Sequence, residues 1–262
     1  MASITERENA IFDSMVEQFP AEFKGRLTRD GVPNPDVYSS RPVRVLFVFR
    51  EANSDNEPRD WDQRAMVRNP RFQGTLSKPP SINGWWNSKV AGLGHAVAYA
   101  LAGGSSPSSY ANFQPWIAPD ERTGNFRTHQ FLFPFGFIQI KKVGGGGQSN
   151  SAEIERHANI YSPFLKAQLN LYEPHLIIGC GVGAGSPARL LNRYVLPRFK
   201  EENQTADRRF KRRFTWWRFS DSDQPVAMLE FNHPSFRGSR EQQYAALASA
   251  VREITINVGL LS

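Results

Sequence analysis

The residues best equipped for chemistry lie in Glu230-Phe231-Asn232-His233-Pro234-Ser235-Phe236-Arg237-Gly238-Ser239. An apolar run at 226–229 precedes this stretch and reads as a buried strand. A segment with Tyr244, Leu247, Val251 and Ile254 at helical spacing follows it, opened by a capping pair of Ser239 and Gln242. A histidine fixed by a proline at the carboxyl end of a strand stands where open α/β sheets hold their ligands. There it can donate a hydrogen bond to an oxygen on which charge develops. Alone, His233 reads first as an ordinary turn histidine, and the other strand ends change that.

Three further strand ends offer candidates. Residues 43–49 are β-branched and aromatic, and the run ends in Arg50-Glu51-Ala52-Asn53-Ser54-Asp55-Asn56, dense in carboxylates and amides. Residues 131–143 read as a second core strand, carrying Gln139, Lys141 and Lys142 before four glycines at 144–147. Those glycines let backbone approach a ligand closely or make a flexible turn. Residues 175–180 form a third strand. The loop Gly181-Val182-Gly183-Ala184-Gly185-Ser186-Pro187 follows, with Pro187 suited to the first position of a helix. No Gly-Lys-Ser/Thr follows, and the third glycine of the dinucleotide pattern is missing. Only an unspecific anion site at the helix start stays open.

The elements that must position these ends follow from periodicity. Ile4, Ile11, Phe12, Met15, Phe19 and Phe23 predict an amphipathic helix over 3–25, broken near Pro20. Residues 31–42 read as loop. Residues 57–84 read as an irregular connection in which Trp61 and Phe72 either line a pocket or pin the loop to the core. Trp86, Val90, Leu93, Val97 and Leu101 give a helix stopped at Gly103-Gly104, and 105–128, with Trp116, is another loop. Asn150 with Glu153 opens a helix through Ile154, Tyr161, Leu165, Leu169 and Tyr172. Strands alternating with helices imply an α/β fold, a three-layer α/β/α sandwich around a central, mostly parallel four-stranded sheet. One domain spans 1–262, with an N-terminal helical extension at about 1–40 and a basic insertion at about 189–218. The sheet should bring Glu51, Gln139, residues 179–185 and His233 to one edge.

At 262 residues, 40% hydrophobic and 12% aromatic, the chain can bury a substantial core. No apolar run is long enough to cross a bilayer, so no membrane is expected. The first ten residues lack the basic-then-apolar order of a signal peptide. A single cysteine, Cys180, excludes an intrachain disulfide and a cluster of cysteine ligands, and suits a cytoplasmic setting. The five histidines show no metal-ligand spacing. The net charge of +7 points to an anionic partner, most simply nucleic acid. Residues 189–218 hold ten basic residues against three acids, a local excess as large as that of the whole chain. This segment reads as a solvated helix face and loop, or as a nucleic-acid contact in which Trp216 and Trp217 stack.

Taken in order, the four strand ends resemble the uracil-DNA glycosylase superfamily over residues 43–255. Arg50-Glu51-Ala52-Asn53 is similar to the family's Gly-Glu-Ala-Pro loop with both outer residues changed. Gln139 stands where the family usually has Asn, and His233-Pro234-Ser235 matches in full. The single cysteine argues against the iron–sulfur branches. The resemblance implies a DNA glycosylase, monomeric and without a cofactor. Glu51 would stabilise the cationic sugar and orient water, and His233 would stabilise the departing base. Asn53, Gln139, Lys142 and Ser235 would bind the substrate. Phe236 and Arg237 would wedge the gap left by the extruded base, and Arg212 and Arg213 would hold DNA. Gln139 moves the base-reading amide by one methylene, which implies a modified pyrimidine, for instance a hypermodified cytosine in phage DNA, rather than plain uracil. Two other readings are a catalytically inactive DNA-recognition module of the same fold and a small-molecule nucleoside hydrolase. The basic insertion argues against the latter.

Overall fold

The computed structural model describes residues 2–53, 60–68, 89–103, 132–145, 149–197, 199–207, 212–219, 226–235 and 238–261. The N-terminal region begins with α1 (Ile4–Gln18), whose Ser3 cap exchanges hydrogen bonds with Glu6. Pro20 then opens the short α2 (Pro20–Phe23). β1 (Thr28–Arg29) follows, and then α3 (Pro35–Ser39), where Asn34 accepts a hydrogen bond from the Val37 N–H. The stretch read as loop thus contains a helix, but one of only five residues, too short to show periodicity.

The core strand β2 (Val45–Asn53) runs further than its apolar run, carrying Arg50 to Asn53 as strand. Next come β3 (Trp61–Asp62) and α4 (Gln63–Arg68), inside the connection read as irregular. Trp61 pins that connection, its indole N–H donating to Thr28 Oγ1 at 2.7 Å. Phe72 and Trp116 lie outside the described residues. The chain continues with α5 (Ala91–Leu101), β4 (Phe135–Gly145), α6 (Ser151–Ile160) and α7 (Ser162–Tyr172). The single helix expected after Asn150 is two, because Pro163 lacks the N–H that a continuous helix needs. β5 (Leu176–Cys180) leads into α8 (Pro187–Leu190) and a π-helical turn at Leu191–Val195. The last elements are β6 (Phe199–Asp207), β7 (Arg212–Phe219), β8 (Val226–Phe231) and α9 (Arg240–Asn257).

The main sheet has the order β4-β2-β5-β8-β7-β6. Its first four strands are parallel and are the four expected; β7 and β6 then extend it antiparallel. Alternation along β2 sorts the layers. Val45, Phe47 and Phe49 face a core built with α5 and α9, while Leu46 and Val48 face one built with α1, α6, α7 and α8. Phe47 stacks on Phe137, with centroids 5.6 Å apart. The outer edge of β4 is covered by the segment beginning at Leu27, through bridges Leu27 to Val143 and Gly31 to Phe137.

The basic insertion corrects the sequence reading. Only its start, with Arg189 and Arg193, is helical; the rest that is described is chiefly the β6–β7 pair. Trp216 and Trp217 are buried on opposite faces of the sheet, in the two separate cores, and offer no surface for stacking on bases. Strand alternation across Phe214-Thr215-Trp216-Trp217 produces this, and the surrounding arginines hid it.

Candidate active site at the carboxyl edge of the sheet

Register aligns the strand ends. Val48 pairs with Gly179, and Gly179 with Glu230. Two residues further on, Arg50, Gly181 and Asn232 stand in a row across β2, β5 and β8. Gly181 anchors the row, its N–H donating to the Phe231 carbonyl at 2.6 Å. Its φ of +145° favours glycine, and it packs closely beside the arginine: a Cβ there would lie 3.6 Å from Arg50 Nε and 3.3 Å from Pro187 Cδ.

His233 follows directly and is partly buried. The Ser235 backbone N–H donates to its Nδ1 at 3.2 Å, and Gln243 Nε2 donates to its carbonyl at 3.1 Å. A ring nitrogen that accepts an N–H carries no proton, so the neutral imidazole bears its proton on Nε2. Burial, then the positive charges of Arg50 and Lys89, push the His233 pKa down to about 4. At neutral pH the group is therefore an uncharged hydrogen-bond donor.

Glu51 reaches the same edge but is not a free carboxylate. Lys141, opposite it in register, donates to Glu51 Oε2 at 2.9 Å and pairs equally closely with Glu153. The Glu51 and Lys141 side chains are each 5% exposed. Burial disfavours the lysine charge, yet Glu153 and Glu51 outweigh it and raise the Lys141 pKa. The structural partner of Glu51 is thus this lysine.

Gln139 is buried on β4, its backbone N–H bound to Asp30 and its side-chain Nε2 donating to Gln63 Oε1 at 3.1 Å. That bond leaves Gln139 Oε1 and Gln63 Nε2 buried without partners, one acceptor and one donor side by side. Gln63 gave no signal in the sequence, because its connection has no periodicity and its partner is 76 residues away. Lys142 does not belong to the site. Fully buried, it bonds Asp30 at 2.7 and 2.8 Å, so it has no surface to offer a substrate. Asn53 pairs with Gly145 through the backbone, and its side chain lies outside those described. Ser235 is exposed and serves His233 through its backbone N–H. Phe236 and Arg237 lie outside the described residues.

The glycine loop is occupied from within. Glu230 accepts from Ser186 Oγ at 2.6 Å, from the Gly183 N–H at 3.0 Å and from Arg189 Nε at 3.1 Å. The protein's own carboxylate thus takes the place an external anion would seek at the helix start. Gly179 is needed for contact with α8, since a Cβ there would fall 2.5 Å from the Ala188 backbone nitrogen. Arg212 and Arg213 open β7, and their side chains lie outside those described. Trp216 pairs with Leu229 and Trp217 with Met228, so β7 begins at the level of the His233 loop, on this same edge.

Among the described residues no cluster of His, Cys, Asp and Glu could hold a metal ion, and no helix is long and apolar enough to cross a membrane. The sequence matches no family model and no curated protein.

Proposed function

We propose that the protein is a DNA glycosylase that hydrolyses the bond between a modified pyrimidine and deoxyribose, leaving an abasic site. The observation that carries this reading is His233, neutral, with Nδ1 engaged by Ser235 and its proton on Nε2. Breaking an N-glycosidic bond sends an electron pair to the base, and a fixed donor aimed at a base carbonyl meets the charge as it forms. The unfilled acceptor and donor of Gln139 and Gln63 complement the amide edge of a pyrimidine. β4 and β8 are three strand spacings apart, about 14 Å, a span that a flipped base and two flanking side chains fill. The departures at Arg50, Asn53 and Gln139 favour a modified base over plain uracil. The setting is cytoplasmic, the protein acts as a monomer, and the reaction needs no cofactor.

One observation favours a second reading, a DNA-recognition module without chemistry: Glu51 is buried in an ion pair with Lys141, which Glu153 shares. Base release decides between them. Purified protein is offered duplex and single-stranded DNA containing uracil, mismatched thymine, or hydroxymethylated or glucosylated cytosine, with His233→Ala alongside. The glycosylase reading expects free base from one substrate and its loss in the variant. Tight binding with no release from any of them would overturn it in favour of the second.

A further inference from the structure

We infer that Arg50 is a catalytic residue of this site, a guanidinium that touches the leaving base beside His233 and holds the negative charge the base acquires. The inference rests on the glycosylase reading and adds a residue to it. Among the described residues the Arg50 side chain makes no hydrogen bond and no ion pair, and its Nε is buried without an acceptor. A buried guanidinium N–H with no partner costs stability, and is retained where a ligand completes it. Its surroundings say where that ligand lies. Gly181, tied by its N–H to the Phe231 carbonyl, lies between Arg50 and the His233 strand, and the charge of Arg50 is felt at the His233 ring, so the guanidinium and the imidazole share one stretch of this edge.

Depth selects the base over the DNA backbone. Phosphates ride on the rim of a site that extrudes a nucleotide, whereas the flipped base enters furthest and meets the strand ends. The chemistry agrees. The bond from the anomeric carbon to the base nitrogen breaks with both electrons going to the base. The oxygen of water bonds to that carbon, and a proton from the water ends on the released base. Lys141 holds Glu51 in an ion pair, so less of that carboxylate's charge faces the cationic sugar, and more of the task falls to groups that hold the departing anion. A permanent cation at a partly buried strand end is suited to that task, and to bases that are poor leaving groups.

The test uses Arg50→Gln and Arg50→Lys in the full chain, with melting temperature as a check on folding. Single-turnover base release is measured on a series of 5-substituted pyrimidines of graded leaving-group acidity. Arg50→Gln should slow release by about 10²–10³-fold at unchanged DNA affinity, most severely for the least acidic bases, with partial recovery in Arg50→Lys. An equal loss across the series, or a loss confined to DNA affinity, overturns the inference. If the unaltered protein releases no base from any DNA, the glycosylase reading fails, and Arg50 is judged by binding of free 5-fluorouracil. Binding about tenfold tighter at pH 9, where the base is anionic, than at pH 6, with the difference abolished in Arg50→Gln, retains Arg50 as the anion-holding residue. Equal affinity at both pH values overturns it.

Discussion

His233 is the residue through which the site is most directly tested, because its protonation state and its position share one cause. Its Nδ1 accepts the Ser235 N–H only while the ring is neutral. Protonation would set two N–H groups against each other and release the loop. Burial, Arg50 and Lys89 postpone that event to about pH 4. Base release should therefore stay level as pH falls from 8 to about 6, where an unperturbed histidine would already be titrating. It should decline only as the ring protonates near the depressed value. A pH–rate profile with its acid limb near 6.5 would show that His233 is not held neutral in this way. The motif was legible because its parts are local: the proline, the accepting nitrogen and the donating N–H lie within three residues. Lys142 misled for the opposite reason. A lysine at a strand end reads as a ligand contact, and the aspartate that buries it stands 112 residues away.

At the scale of elements, that same lysine belongs to a charged cluster sealed between α1, the segment after β1, α4, β4 and α7. Glu8 and Asp30 are fully buried, and accept from Arg64 at 2.6 Å and from Lys142 at 2.7 Å. Gln168 donates to Asp30, and the Val32 N–H to Glu8. This cluster fastens the N-terminal helices to the outer strand of the sheet, and so fixes the strand that carries Gln139. A buried pair adds little over an apolar pair of the same shape, but halving it strands a charge in the core. Asp30→Ala should cost about 3–5 kcal/mol in urea unfolding, and adding Lys142→Met should restore most of it. If the double variant is no more stable than the single one, Lys142 is not the charge that Asp30 satisfies. The four parallel strands were legible because each is an apolar run bounded by turn residues. The β6–β7 pair was not, because strand alternation there is interleaved with arginine and glutamate. The register that sets Glu201 opposite Arg218 and Asp207 opposite Arg212 exists only once the two strands have met.

For the whole molecule, the question is how much of the +7 charge is available to DNA. Composition overstates it. Arg189 is clamped on Glu230 and lies over the Trp217 ring, and Arg193 is held by Glu155. These two belong to the basic insertion yet serve the glycine loop and the packing of α6. The start of β7 is different: register carries Arg212 and Arg213 to the edge where His233 stands, which under the proposed function is the edge that meets DNA. The parallel topology made the convergence of strand ends predictable, but only the register of an unanticipated strand brings the basic segment to the same edge. Two sets of arginines that look alike in the sequence should then separate in one experiment. Affinity for a duplex, followed against salt, falls with a slope of about 0.9 per phosphate contact. Arg212→Ala and Arg213→Ala should each make that slope shallower by about one and leave the melting temperature nearly unchanged. Arg189→Ala should do the reverse, keeping the slope while lowering stability, because Glu230 loses its cation in a buried setting. A slope that responds to Arg189 and not to the β7 pair would move the DNA path away from the His233 edge, and with it the reading of that edge as the place where a base is released.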